Sequence, residues 1–256
     1  MRVALPAAFL TAPLAHRAYH DRRLGRPENS RGAITAAIAA SYGIEIDLQL
    51  SSDGVAMVFH DEALDRLTTS TGLIKHHTAT ALAQIKLRDS DETIPTLAEI
   101  LALVAGRTPL LIEIKDQTDT MSETDGRLES ATASLLATYQ RPAAVMSFNP
   151  HAIAHIARLA PHIPRGLTTS AYDPTDWAPL AATTCDRLRG IPDYDRTLSS
   201  FISHEAADLA RPRIADLKSQ AAAILCWTIR SPAAEAEARK IAQNITFEAY
   251  AAALPA

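Results

Sequence analysis

The stretch Ser41-Tyr-Gly-Ile-Glu-Ile-Asp-Leu-Gln-Leu50 decides how the rest of the chain is read. Ile44, Ile46, Leu48 and Leu50 alternate with Glu45, Asp47 and Gln49, which is the two-residue period of a strand. Glu45 and Asp47 therefore point to the same face. A strand facing water carries such a pair at little cost, so taken alone the stretch indicates a strand and no more. Its neighbours change the reading. Ala15-His-Arg17 precedes it and Val58-Phe-His-Asp61 follows it, and that grouping points to a metal site.

Working outward, Ala12 to Ala15 reads as a short buried strand ending at His16 and Arg17, followed by a charge-rich loop to Pro27. Asn29 or Ser30 can cap an alanine-rich helix, Ala33 to Ala40, with Gly43 as its left-handed exit. Ser51-Ser-Asp-Gly54 signals a tight turn, so Val55 to Phe59 returns antiparallel to the opening strand. Asp61 to Thr93 has weak periodicity and reads as an excursion at the rim. Thr96-Leu-Ala-Glu99 is a capping box opening a helix that Gly106 ends. Leu110 to Lys115 is a strand, Arg127 to Tyr139 a helix, and Ala143 to Phe148 a strand. Asn149-Pro150 starts the next helix. Further strands lie around Leu167, at Ser200 to Ser203, at Ile224 to Ile229 and at Asn244 to Phe247.

Leaving out the hairpin return, the strands end near His16, Asp47, Lys115, Phe148, Thr168, Ser203, Ile229 and Phe247. Strand–helix alternation on this scale over 256 residues is what a closed TIM (β/α)₈ barrel, an α/β fold, requires. An open doubly wound sheet also alternates, but no G-x-G-x-x-G follows any strand. No internal repeat or linker divides the chain, so a single domain over residues 1–256 is expected.

Composition narrows the function classes. The chain is 47% hydrophobic and 21% charged with net charge −4, so no basic field recommends nucleic acid as a partner. Two cysteines, Cys185 and Cys226, without C-x-x-C spacing suit buried thiols better than a disulfide framework. No segment nears the roughly 20 apolar residues of a membrane span, so no membrane insertion is expected. Met1 to Pro13 lacks the long apolar core of a signal peptide, which leaves the cytoplasm as the expected location. The sequence carries no signal of oligomeric state.

In such a barrel, active groups come from the C-terminal ends of several strands. Those ends carry His16 and Arg17, then Glu45 and Asp47, then Glu113 and Lys115, while the hairpin return carries His60 and Asp61. Three converging carboxylates, Glu45, Asp47 and Glu113, cannot all stay ionised without a cation. Their hard oxygens favour Mg²⁺ or Ca²⁺ over zinc. His16 and His60 are then free to act as acid and base. Arg17 and Lys115 supply fixed positive charge of the kind that holds phosphate. Together these groups suit hydrolysis of a phosphate ester.

The set His16-Arg17, Pro27-Glu28-Asn29, Glu45-Ile-Asp47, Asp53-Gly54, Phe59-His60-Asp61, Leu64-Asp65-Arg66, Ile94-Pro-Thr-Leu97 and Glu113-Ile-Lys115 resembles the glycerophosphodiester phosphodiesterase family. The likeness is dense from Leu14 to Lys115 and thins to Ser147-Phe148, Arg165-Gly166 and Trp227-Thr228. It implies a distorted barrel with a small insertion after the second catalytic histidine, at about residues 65–92. It also implies one divalent cation on Glu45, Asp47 and Glu113, His16 and His60 as the acid–base pair, and glycerol 3-phosphate as a product. Trp227 can pack a glycerol face, Glu28 can support Arg17 from behind, and Asp61 can orient His60 or cap its turn. His20 and the His76-His77 pair read as solvated loop histidines. The chain departs from the family in having Ala18 where glycine follows His-Arg, which bears on the substrate mouth. Two alternatives stay open: a lysophospholipase D-type enzyme, which needs an exposed apolar rim for the acyl chain, and an inactive binding protein.

Overall fold

The computed structural model describes residues 1–255. A short helix α1 (Ala8–Thr11) leads into β1 (Leu14–Ala15), α2 (Arg31–Ala39), β2 (Gly43–Leu50) and the hairpin return β3 (Ala56–Val58). After a long excursion containing α3 (Ala79–Leu82), the chain continues through α4 (Leu97–Val104), β4 (Leu110–Ile114), α5 (Arg127–Leu136), β5 (Ala143–Ser147) and α6 (Pro150–Leu159). The last part comprises β6 (Arg165–Thr169), α7 (Ala182–Arg189), β7 (Phe201–Glu205), α8 (Pro212–Ser219), β8 (Ala223–Ile229), α9 (Pro232–Ala238) and β9 (Asn244–Phe247).

The sheet order is β1-β9-β8-β7-β6-β5-β4-β2-β3, and β1 also pairs with β2, which closes the parallel strands into an eight-stranded barrel. β3 is antiparallel to β2 through Leu48↔Val58 and stays outside the barrel, as the tight turn predicts. The architecture is thus the TIM barrel expected from the alternation of elements.

Alternation along each strand sorts side chains between two cores. Ile44, Ile46 and Leu48 face the helix layer, packing with Ile34, Ile100 and Ile112 in the larger cluster. Leu14, Leu111, Ala144, Met146, Phe201 and Leu225 fill the barrel interior, joined by Phe9 of α1. Asn244 donates to the carbonyls of Phe9 and Ala12, which ties α1 across the N-terminal end of the barrel. Phe201 needs space from β6. A Cβ on Gly166 would sit 2.5 Å from its ring, so glycine there is a packing requirement. The interior is therefore apolar at its N-terminal end, and the same inward-facing periodicity delivers Glu45, Asp47 and Glu113 to its C-terminal end.

Local signals mostly act as the sequence indicates. The Thr96–Glu99 capping box forms, and Asn149 caps α6 ahead of Pro150. Ser30 is the cap of α2, accepting from the Ala33 N–H, which leaves Asn29 free for another task. One expectation is corrected. The left-handed exit after α2 is taken by Ser41 (φ 60°), whereas Gly43 begins β2, where a Cβ would meet the Leu14 side chain at 2.5 Å. Gly43 is small because two strands approach there, not because a helix ends.

The excursion between β3 and α4 has an apolar cluster of its own, built on Phe59, Leu64, Leu67, Ile74, Leu82, Leu87 and Ile94. No helix among the described residues is long and apolar enough to cross a membrane.

Candidate active site

β2 and β4 are parallel neighbours, and their register sets Asp47 opposite Glu113. Glu45 lies two residues earlier on the same face of β2. Oxygens of Glu45, Asp47 and Glu113 all lie within 4.8 Å of one another, and all three side chains are buried. Lys115, just past β4, folds back into this cluster, with its Nζ 2.7 Å from Asp47 and 2.5 Å from Glu113. Asp47 also accepts from Asn29 Nδ2 at 2.9 Å, and Arg17 Nε stands 3.7 Å away. Glu45 accepts from the Arg17 backbone N–H at 2.9 Å.

Protonation follows from these contacts. Burial would raise the Asp47 pKa, but the charges of Lys115, His60 and Arg17 hold it well below the usual carboxylate range. Glu45 is pushed well above its ordinary value, by burial first and then by the charges of Asp47 and Glu113. Lys115 keeps its proton strongly despite burial, because Asp47 and Glu113 surround it. Three carboxylates face two permanently charged side chains, Lys115 and Arg17, and Arg17 shares its charge with Glu28 at 2.9 Å. Burial first, and that shortfall second, keep Glu45 raised. A hard divalent cation would relieve it, so the donor set fits a metal.

The two histidines flank the cluster, each with a carboxylate behind it. His16 Nδ1 donates to Glu248 Oε2 at 2.6 Å, and Arg230 Nε donates to the other oxygen at 2.7 Å. His60 Nδ1 donates to Asp61 Oδ1 at 2.6 Å, and Arg66 holds Asp61 through two bonds. Burial lowers the His16 pKa, with the Glu248 hydrogen bond opposing it. Glu248 itself is kept far below its ordinary value, first by the hydrogen bond from His16 and then by His20 close beside it.

A cavity of about 290 Å³ joins these groups. Its polar end holds His16, Arg17, His60, Lys115 and the three acids, and its other wall is Met146, Phe148, Trp177 and Trp227. Phe148 meets Trp177 at 4.9 Å and Trp227 at 5.5 Å between ring centroids. The Trp227 indole N–H is taken by the Ser203 carbonyl at 3.0 Å, so only its ring faces the cavity.

Every candidate read from the sequence thus gathers here: His16, Arg17, Glu45, Asp47, His60, Glu113, Lys115 and Trp227 line the cavity, and Glu28 stands behind Arg17. His20 is not a freely solvated loop histidine. Its Nε2 lies 3.7 Å from Glu248, because the loop after β1 folds over that carboxylate. Sequence reasoning missed Glu248, Arg230 and Trp177, and it named Arg66 only within the Leu64-Asp65-Arg66 motif, without a role. Arg230 and Glu248 are the first residues after β8 and β9, so the strand-end rule, carried past the fourth strand, would have found both.

The class comes first from the geometry: a (β/α)₈ barrel with a metal-capable acidic cluster between two imidazoles at its C-terminal mouth. The family follows from comparison, since the model of the glycerophosphoryl diester phosphodiesterase family matches residues 16–246, and the chain belongs to that family. It is similar to a glycerophosphodiester phosphodiesterase of Caldanaerobacter subterraneus, with 32% identity over 152 residues, 55% of this chain and 60% of that protein. Human glycerophosphodiester phosphodiesterase 1 is 36% identical over 112 residues, 40% of this chain and 32% of that protein. These matched stretches span less than two thirds of either relative. A phosphodiesterase of Oleispira antarctica, solved in complex with the product sn-glycerol-3-phosphate, shares the fold at a TM-score of 0.75. Its sequence identity is 23%, and the superposition covers 94% of both chains. The glycerophosphodiester phosphodiesterase structure from Thermotoga maritima superposes at a TM-score of 0.66 with 20% identity, covering 91% of this chain and 92% of that one.

Proposed function

We propose that the chain hydrolyses glycerophosphodiesters to glycerol 3-phosphate and an alcohol. The observation that carries this reading is the buried triad of Glu45, Asp47 and Glu113 set between His16 and His60 in one cavity. Glu45, Asp47 and Glu113 hold one divalent cation, Mg²⁺ or Ca²⁺. When bound, that cation supplies charge stabilisation for the phosphodiester oxygens. The guanidinium of Arg17 and the ammonium of Lys115 hold the non-bridging oxygens and meet the charge that grows in the transition state.

His16 is the base in this reading. Its depressed pKa keeps it neutral, and Glu248 fixes the Nδ1–H tautomer so that Nε2 is free to accept a proton. It takes a proton from the attacking water as the new P–O bond forms. His60 is the acid, oriented by the hydrogen bond of its Nδ1 to the Asp61 carboxylate at 2.6 Å, and it protonates the departing alkoxide as the old P–O bond breaks. Trp227 packs the glycerol carbons against its ring.

Support for a small polar substrate over a lysophospholipid comes from the surface. Among the described residues the exposed large apolar side chains are Met1, Leu24, Leu159 and Leu254, and none of them lines the cavity. The test is an assay of glycerophosphocholine, glycerophosphoethanolamine, glycerophosphoinositol and a lysophosphatidylcholine, with Mg²⁺ and with Ca²⁺. Release of glycerol 3-phosphate from the first three is expected. No release from any of them overturns the reading, and turnover of the lysolipid alone transfers it to the lysophospholipase D class.

A further inference from the structure

Arg66 does not line the cavity, and its side chain is 48% exposed. A single exposed ion pair contributes little to a protein, because water and salt screen it. Arg66 is arranged differently. Its guanidinium grips two carboxylates at once: Nη1 and Nη2 donate to the oxygens of Glu28 at 2.9 and 2.8 Å, and Nε and Nη2 donate to those of Asp61 at 2.6 and 2.7 Å. Each carboxylate carries a second load on the cavity side. Glu28 Oε1 also accepts from Arg17 Nη1 at 2.9 Å, and Asp61 Oδ1 accepts from His60 Nδ1 at 2.6 Å.

The consequence is one unbroken chain of charged hydrogen bonds, Arg17–Glu28–Arg66–Asp61–His60, running behind the cavity. Glu28 sits on the loop after β1, while Asp61 and Arg66 sit at the start of the excursion after β3, so the chain crosses the seam between two separate segments. Other crossings of that seam, Arg22 with Asp89 and Ser90 with the Gly25 carbonyl, touch no cavity residue. Burial alone would raise the pKa of Glu28 and of Asp61, yet both carboxyls are held below their ordinary values, with Arg66 hydrogen bonds among the causes in each case. Both therefore remain acceptors for every donor in the chain.

Resting on the activity proposed above, we infer that Arg66 is a positioning residue that fixes the anion-binding Arg17 and the imidazole of His60 in a common geometry. Its role depends on the planar fork. A lysine at this position keeps the charge but cannot make two bidentate contacts from one centre. The stretch after β3 is thereby part of the machinery and not only a cover over it, since it brings the group that joins phosphate binding to proton transfer.

The experiment is a set of double-mutant cycles on the full chain with Mg²⁺, using glycerophosphocholine turnover and, separately, calorimetric affinity for glycerol 3-phosphate. Arg66→Ala is expected to lower kcat by on the order of tenfold and to weaken glycerol 3-phosphate several-fold, with losses that overlap those of its partners. His60→Ala/Arg66→Ala should turn over no more slowly than His60→Ala within about twofold, and Arg17→Ala/Arg66→Ala should bind glycerol 3-phosphate no more weakly than Arg17→Ala. Arg66→Lys should resemble Arg66→Ala, and added guanidinium ion should restore part of the kcat of Arg66→Ala but none of that of His60→Ala. Circular dichroism of Arg66→Lys checks that the fold is kept. Losses that multiply, full activity in Arg66→Lys, or a loss that merely follows a lowered melting temperature would each overturn the inference. If the wild-type chain cleaves none of the diesters, the proposed activity fails instead, and the glycerol 3-phosphate cycle with Arg17 still decides the Arg17 half.

Discussion

The two histidine arms of the cavity use the same chemistry and reach it by opposite routes. His60 is backed by its chain neighbour Asp61, which in turn is held by Arg66 five residues on. His16 is backed by Glu248, 232 residues away, and Arg230 joins from the end of another strand. Both arms read imidazole, carboxylate, guanidinium. The His60 arm is a local turn, more open, with 29% of the imidazole exposed. The His16 arm exists only because the barrel closes and brings β9 beside β1 through Ala15↔Phe247, and its imidazole is 14% exposed. A local arm survives small shifts of the barrel, whereas a closure-dependent arm is as good as the register that makes it. The drier arm carries the imidazole proposed as the base, whose pKa burial lowers, and the wetter one the imidazole proposed as the acid.

The most severe way to break both arms together is to remove the cation proposed for the acidic cluster. EDTA is expected to reduce turnover to background, with recovery on adding Mg²⁺ or Ca²⁺; turnover that ignores the chelator removes the cation from the mechanism. Next come the imidazoles themselves. His16→Ala and His60→Ala should each lower kcat/KM about 10²–10⁴-fold, and near-full activity in either would sink its assigned role.

Smaller effects separate the arms. Glu248→Gln should cost on the order of 10²-fold in kcat, through loss of the charge that steadies the His16 imidazolium as it forms. Its pH profile has a definite sign. Burial depresses the His16 pKa below 6.5 and the Glu248 hydrogen bond opposes that depression, so removing the carboxylate lowers the pKa further. His16 then stays neutral to lower pH, and the acid limb of kcat/KM moves toward acid. A limb that moves toward neutrality contradicts the assignment of His16 as base. Asp61→Asn leaves Arg66 and its Glu28 contact in place, so a smaller loss, about tenfold, is expected in kcat. The smallest change is Arg230→Ala, about twofold in kcat/KM, since that side chain is 63% exposed and exposed pairs contribute little.

The barrel was legible because its signals are local. The two-residue alternation in Ile44 to Leu50, the turn at Ser51 to Gly54, and the caps at Thr96 and Asn149 each act within a few residues of where they are written. The same holds for half of the site. Glu45 and Asp47 share a face by strand geometry alone, and His60-Asp61 is a dipeptide. The misses share a physical cause. Glu248 and Arg230 belong to no local motif; their strand-end positions mark them as candidates, and only strand pairing tells that they stand behind His16. Gly43 resembles a helix exit because a glycine after a helix is usually that; the true constraint, the Leu14 side chain 2.5 Å from a would-be Cβ, is a contact between strands. His20 looked like a solvated loop residue because nothing in its own stretch shows the fold of that loop over Glu248.

By itself, then, the sequence determined the periodicity that makes eight inward-facing strands, and with it the facing acids Glu45, Asp47 and Glu113 and the two imidazoles. The shared face of Glu45 and Asp47 follows from backbone geometry, which repeats every two residues whatever the surroundings, and the other groups are marked by their places at strand ends. The tertiary structure alone decided which carboxylate stands behind His16, that Lys115 turns back between Asp47 and Glu113, and that Arg66 ties Glu28 to Asp61. Each of these depends on charges brought together from segments far apart in the chain, and such pairings are fixed only when the barrel closes and its packing leaves each charged group a single set of partners.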